Sequence, residues 1–184
     1  IGLSAARALG GLAVAALAIL LVSGVAVDGL LAAADRAFAL EDQETPAGVE
    51  RPTSRLRSGG PGALIGWDTL GREGRTFVAG GPSTAEIGAF TGAEAPEPIR
   101  IYSGVATADD VGARAQAAVE DLERAGGFDR ARLVVATTTG RGWLDAGSLS
   151  AFEYIAAGDS AVVAMQYSYV PSGLSYLIDQ DRAR

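Results

Sequence analysis

A chain of 184 residues, 48% of them hydrophobic and with a net charge of -7, suits one domain with an apolar appendage. All 15 basic residues are Arg, scattered and not pooled in one patch, so no nucleic acid is expected as a partner. No Cys, no His and no Lys occur, which removes thiol nucleophiles, disulfides, thiolate metal sites, imidazole bases, a P-loop lysine and a Schiff base.

What remains implies no cofactor and no metal. Either the chain is not an enzyme or it is not the whole of one. It begins at Ile1, its single Met is Met165, and it stops at Asp-Arg-Ala-Arg inside a helix expected from about Leu174, so an internal fragment is expected. Arg without Lys, beside abundant Ala and Gly, reads as the codon bias of a GC-rich genome.

From Ala8 to Val27 the chain carries no charge. Its Leu, Ile and Val residues contribute about -3 to -6 kcal/mol towards membrane insertion, and the run is long enough to span. The rival reading is a signal peptide with Ala32-Ala33-Ala34 as its cleavage site; length favours the span. Gly11 and Ala15 form a small-xxx-small pair able to seat a further membrane helix. Arg7 precedes the run and mainly acidic residues follow it, which favours an extracytoplasmic position for the rest. The expected domains are therefore a transmembrane helix with its extension over 1–40, a linker over 41–62 rich in Pro and Gly, and an α/β domain over 63–184.

In that domain Arg75 to Ala79 is read as a short strand, and Ser83 with Glu86 is a capping-box pattern opening a short helix that ends towards Gly92. Trp67, Asp68, Arg72 and Arg75 read as a surface clamp, with a site lining as the alternative. Ile99 to Ser103 is a strand, and Thr107 with Asp110 caps a helix bearing a Val111, Ala115, Ala118, Val119 and Leu122 stripe. Asp110 with Arg114 and Glu120 with Arg124 are spaced as i,i+4 pairs, and Gly126 and Gly127 stop the helix. Leu133 to Thr139 and the run from Ala161 are apolar on successive residues, as in central strands covered on both faces, with a helix around Leu149, Phe152 and Ile155 between them. Two strand-helix-strand units define an α/β fold with a parallel sheet.

Chemistry in such sheets sits past the carboxyl ends of the strands, here Thr137 to Trp143 and Tyr167 to Ser172. Thr139, Gly140, Arg141 and Gly142 form a loop whose backbone N–H groups suit an oxyanion, phosphate or carboxylate; a tight turn is the bland alternative. Asp145 stands where the third Gly of a dinucleotide fingerprint would be, and reads as a helix N-cap. Trp143, Tyr167 and Ser168 are candidates for lining a site. Ser168 has no base in the sequence, and its surroundings lack the small residues of a nucleophile elbow.

Taken together, WDTLGREGRTFVAGG, PIRIYSG, LVVATTTGRGW and GDSAVVAMQYSYVPSGLSYLID resemble a family of bacterial integral membrane proteins, typical of high-GC Gram-positives, in which a multi-span N-terminal domain precedes an α/β-hydrolase domain. The resemblance runs from about Ser58 to the end. It implies that Thr139 to Trp143 is the oxyanion-hole loop and that Ala161 to Ser168 precedes the nucleophile strand, whose elbow, acid and His would lie beyond Arg184. The implied activity is ester or acyl hydrolysis by a serine hydrolase in the cell membrane, with the lipid bilayer and further membrane helices as partners and a lipid or acyl ester as substrate. Two alternatives stay open: a non-catalytic membrane-tethered α/β module that binds a ligand or partner, and a nucleotide-binding protein using the Gly140 loop.

Overall fold

The computed structural model describes residues 2–22 and 25–178. They divide into two units, Ile1–Ala37 and Phe38–Arg184.

The first unit holds α1 (Leu3–Val22) and most of α2 (Val25–Asp42), both rich in the strong helix formers Ala and Leu. Leu9, Leu12, Val14, Leu17 and Ile19 of α1 are each more than half exposed, so this helix carries apolar side chains without burying them. Among the described residues no helix is long and apolar enough to cross a membrane. The span expected over 8–27 is not one helix here: α1 ends at Val22, α2 starts at Val25, and residues 23 and 24 lie outside the described residues.

The second unit is built on a parallel three-stranded sheet of order β1-β3-β2, with β1 at Ile99–Ser103, β2 at Arg132–Ala136 and β3 at Ser160–Met165. Ile99 and Leu133 both align with Ala161, which sets the register on either side of β3. The chain steps from β1 outward to β2 through α5 (Val111–Arg124), then back to β3 through α6 (Ala146–Ile155). Because crossovers are right-handed, this reversal of direction puts the two helices on opposite faces. Ala118 and Leu122 of α5 pack on one face against Ile99, Ile101 and Ala161. On the other, Arg100 of β1 donates from Nε and Nη2 to both oxygens of Glu153 on α6, at 2.8 and 2.7 Å.

The expected α/β class with a parallel sheet is found, with corrections in detail. Arg75 to Ala79 is not a strand but the end of α3 (Gly71–Ala79), whose buried Gly74, Phe77 and Val78 recur at helical spacing against β1. A Cβ at Gly74 would strike the Tyr102 ring, so the missing side chain allows α3 to approach. β2 is not a central strand: β3 inserts between it and β1, leaving Leu133 40% and Val135 80% exposed at the edge. Of the two runs expected to be central, β3 alone has the double cover, with Ala161, Val162 and Ala164 buried.

The local helix signals hold more closely. Ser83 and Glu86 form a reciprocal capping box at α4 (Thr84–Thr91), which ends at Gly92 in the left-handed conformation. Asp110 caps α5 by accepting from the Ala113 amide, while Thr107 lies in a preceding 3-10 turn. The two i,i+4 pairs are replaced: Arg124 turns to Asp121 at 2.7 Å, Glu120 accepts from Gln116, and the buried Arg114 donates to the Ala108 carbonyl. The Pro- and Gly-rich stretch is woven into the unit beside β1. The Ser58 N–H donates to the Arg100 carbonyl and the Arg100 N–H to the Leu56 carbonyl, while the Ser58 hydroxyl donates to Asp121 at 2.7 Å and accepts from the Tyr102 amide.

Candidate active site

The loop after β2 is a closed turn. The Gly142 N–H donates to the Thr139 carbonyl at 2.9 Å, the Thr139 N–H to the Trp143 carbonyl at 3.1 Å, and the Gly140 N–H to the Ser172 hydroxyl at 2.9 Å. Of the four amides from Thr139 to Gly142, that of Arg141 alone has no acceptor among the described residues. The two glycines serve the chain's own packing. A Cβ at Gly140 would overlap the Val170 carbonyl oxygen, and one at Gly142, where φ is 91°, would overlap the Tyr102 hydroxyl.

The loop after β3 packs against this turn. The Ser168 N–H donates to the Gly140 carbonyl at 3.0 Å, and the Tyr167 hydroxyl donates to Ser172 at 3.0 Å. Ser168 is buried, and its Oγ accepts from the Val170 N–H, a turn-forming role with no base bonded to it among the described residues. Tyr167 and Ser168 therefore meet the Gly140 turn, whereas Trp143, half exposed, faces a separate cavity of about 370 Å³ with Glu73, Phe77 and Asp145 in its walls. Asp145 is the N-cap of α6, accepting from the Ser148 N–H at 2.7 Å.

One family model, described as the alpha/beta-hydrolase family, matches residues 99–184, and its N-terminal companion matches residues 1–82. The chain belongs to the α/β-hydrolase family. No curated protein and no solved structure matches it. For a member of this family the carboxyl edge of the sheet is the place to look for chemistry, and the structure adds residues there that the sequence reading passed over.

The last turn of α2 reaches this edge of the sheet. Asp42 is buried, and its Oδ1 accepts from the Arg72 N–H at 3.1 Å and from Gln166 Nε2 at 3.3 Å. Burial pushes the Asp42 carboxyl up from its ordinary range, and the same cause raises Glu73. Beside them the Tyr102 hydroxyl, 2.9 Å from the Gly142 carbonyl to which it donates, is raised well above its ordinary value by burial, then by the charges of Asp42 and Glu73. Glu41 accepts from Arg141 at 2.8 Å, and that bond holds its carboxyl below the usual range. The Arg141 guanidinium also lies 4.8 Å from the Phe38 ring centre.

Arg75 is not the surface clamp expected with Asp68: it is buried and donates to the Asp42, Gln43 and Glu44 carbonyls, closing the end of α2. A second cavity of about 370 Å³, mostly apolar, lies between α5 and the strand ends, with Val119, Thr138 and Tyr167 among its walls. Among the described residues no cluster of His, Cys, Asp or Glu is arranged to hold a metal ion. Asp42 and Gln166 are 124 positions apart, and no spacing in the sequence signals their meeting.

Proposed function

We propose that the chain is part of a membrane-anchored serine hydrolase, supplying the oxyanion-loop side of a site that hydrolyses an ester or acyl group. The carrying observation is the Arg141 N–H, the one uncommitted donor of a rigid turn at the carboxyl end of β2 in an α/β-hydrolase family chain. A held donor of this kind stabilises the oxyanion of a tetrahedral intermediate, and losing one costs about 3–4 kcal/mol of transition-state stabilisation in enzymes of this type. With no His in the sequence, an imidazole base that activates a serine must come from residues outside it. The apolar cavity at Thr138 and Tyr167 suits the acyl part of a lipid-like substrate.

Anchoring rests on the outward apolar side chains of α1 and the uncharged run over 8–27, with the bilayer and further membrane helices as partners and the α/β unit on the extracytoplasmic side. Membranes from cells expressing the complete gene, treated with a fluorophosphonate probe, test both parts. Covalent labelling of a membrane-bound band is expected, competed by unlabelled phosphonate. An unlabelled protein rejects the hydrolase reading, and a labelled protein in the soluble fraction rejects the anchor. The second reading, a non-catalytic tethered binding module, is favoured by the engagement of three of the four loop amides within the chain itself.

A further inference from the structure

The central peptide of the Thr139 to Gly142 turn joins the Gly140 carbonyl to the Arg141 N–H. In a planar trans peptide these two groups point in opposite directions, so whatever holds the carbonyl also aims the N–H. The Gly140 carbonyl is held by the Ser168 N–H. Ser168 is in turn tied to Gln166, whose Nε2 donates to the Ser168 carbonyl at 3.0 Å and to Asp42 at 3.3 Å. On the other side of the peptide, the Arg141 side chain donates from Nη2 to Glu41 and stacks on the Phe38 ring. Both holds end on the same five residues, Phe38 to Asp42.

We propose that this last turn of α2 is the positioning device of the Gly140 loop: Asp42 through Gln166 and Ser168 fixes the Gly140 carbonyl, Glu41 and Phe38 fix Arg141, and together they set the direction of the Arg141 N–H. The geometry stands by itself, while its consequence for reactivity rests on the hydrolase reading. Turns of this kind interconvert by rotation of the central peptide, which reverses carbonyl and N–H together. Gly140 carries no side chain to resist that rotation; the flip would take Arg141 to positive φ, which its Cβ disfavours, and the bonded neighbours add to that resistance. A planar guanidinium bonded through one nitrogen to Glu41 and stacked on the Phe38 ring is restrained in a way that a Lys ammonium would not reproduce. Glu41, Phe38 and Asp42 act through other groups and are positioning residues.

Amide hydrogen exchange on the intact protein tests the device without requiring activity. In Glu41→Gln combined with Phe38→Leu, exchange at Gly142 and Ser168 should quicken on the order of tenfold while β1 and β3 amides keep their protection, the mark of a local opening. Exchanging the charges, with Glu41→Arg and Arg141→Glu together, should restore much of the protection that Glu41→Gln alone removes. Unchanged exchange at both amides in the double variant, with the fold intact by circular dichroism, overturns the proposal. Phosphonate labelling of the same variants separates the two readings. If the unaltered protein is never labelled but loop exchange quickens as expected, the hydrolase reading fails and the positioning device stands. If the unaltered protein is labelled and loop exchange does not respond, the reverse holds.

Discussion

Asp42 places a carboxylate where water is largely excluded, and its two hydrogen bonds do not offset the cost of burial, so its folded-state pKa lies above the ordinary 3.8. A carboxyl raised in this way favours folding when protonated. Its contribution is fully present below the unfolded value and is lost as pH rises through the folded value, and Glu73 has the same sign. Glu41, Glu86 and Asp145 have the opposite sign: each is lowered by hydrogen bonds to its partner, so its contribution is present above the ordinary value and lost on acidification. Asp42→Asn keeps an acceptor for the Arg72 amide and removes the buried charge. It should leave stability at neutral pH equal or higher and flatten the fall in thermal midpoint as pH rises above the ordinary carboxylate range. A large loss of stability at every pH would mean that the charged hydrogen bonds outweigh desolvation.

At the scale of elements, α6 is joined to β1 by the Arg100 and Glu153 pair, both side chains essentially out of water and the guanidinium also bonded to the Phe77 carbonyl on α3. One residue thus ties a strand to the two helices covering its face. Removing one partner of such a pair leaves an uncompensated buried charge, so Glu153→Gln should cost about 3–5 kcal/mol in urea unfolding. Replacing both, with Arg100→Met and Glu153→Leu, should recover most of that loss, because apolar side chains need no desolvation. A cost for Glu153→Gln below about 1 kcal/mol would show that the pair is effectively solvated.

For the whole molecule the exposed edge of β2 is the feature with the widest consequence. Val135 points into solvent beside the apolar cavity under α5, and a strand with an unpaired row of N–H and C=O groups is a template for pairing with another chain. Val135→Lys places a charge on that edge without emptying any buried site. It should reduce self-association in sedimentation velocity while leaving the unfolding midpoint within about 0.5 kcal/mol of the unaltered protein, as surface changes generally do. Equal association of both forms would place the contact elsewhere.

The sequence by itself determined those features that depend on a few neighbouring residues. Asp145, Asp110 and the Ser83 and Glu86 pair cap helices because a side-chain oxygen two or three residues ahead of an unbonded N–H is sufficient, whatever surrounds it. The α/β class followed from alternating apolar runs and helical stripes. Only the tertiary structure decided the rest. Leu133 to Ala136 is as apolar as a central strand, yet its place at the edge depends on which strand β3 slips beside, a choice made between segments far apart in the chain. Arg75 to Ala79 is short enough to suit strand or helix, and packing of Gly74 on Tyr102 decided for helix. The glycines at 140 and 142 look like an open ligand cradle in sequence. Folded, they are filled by the Val170 carbonyl and the Tyr102 hydroxyl, and the Glu41, Asp42, Arg141 and Gln166 constellation exists only because chain closure brings the end of α2 to the loops after β2 and β3.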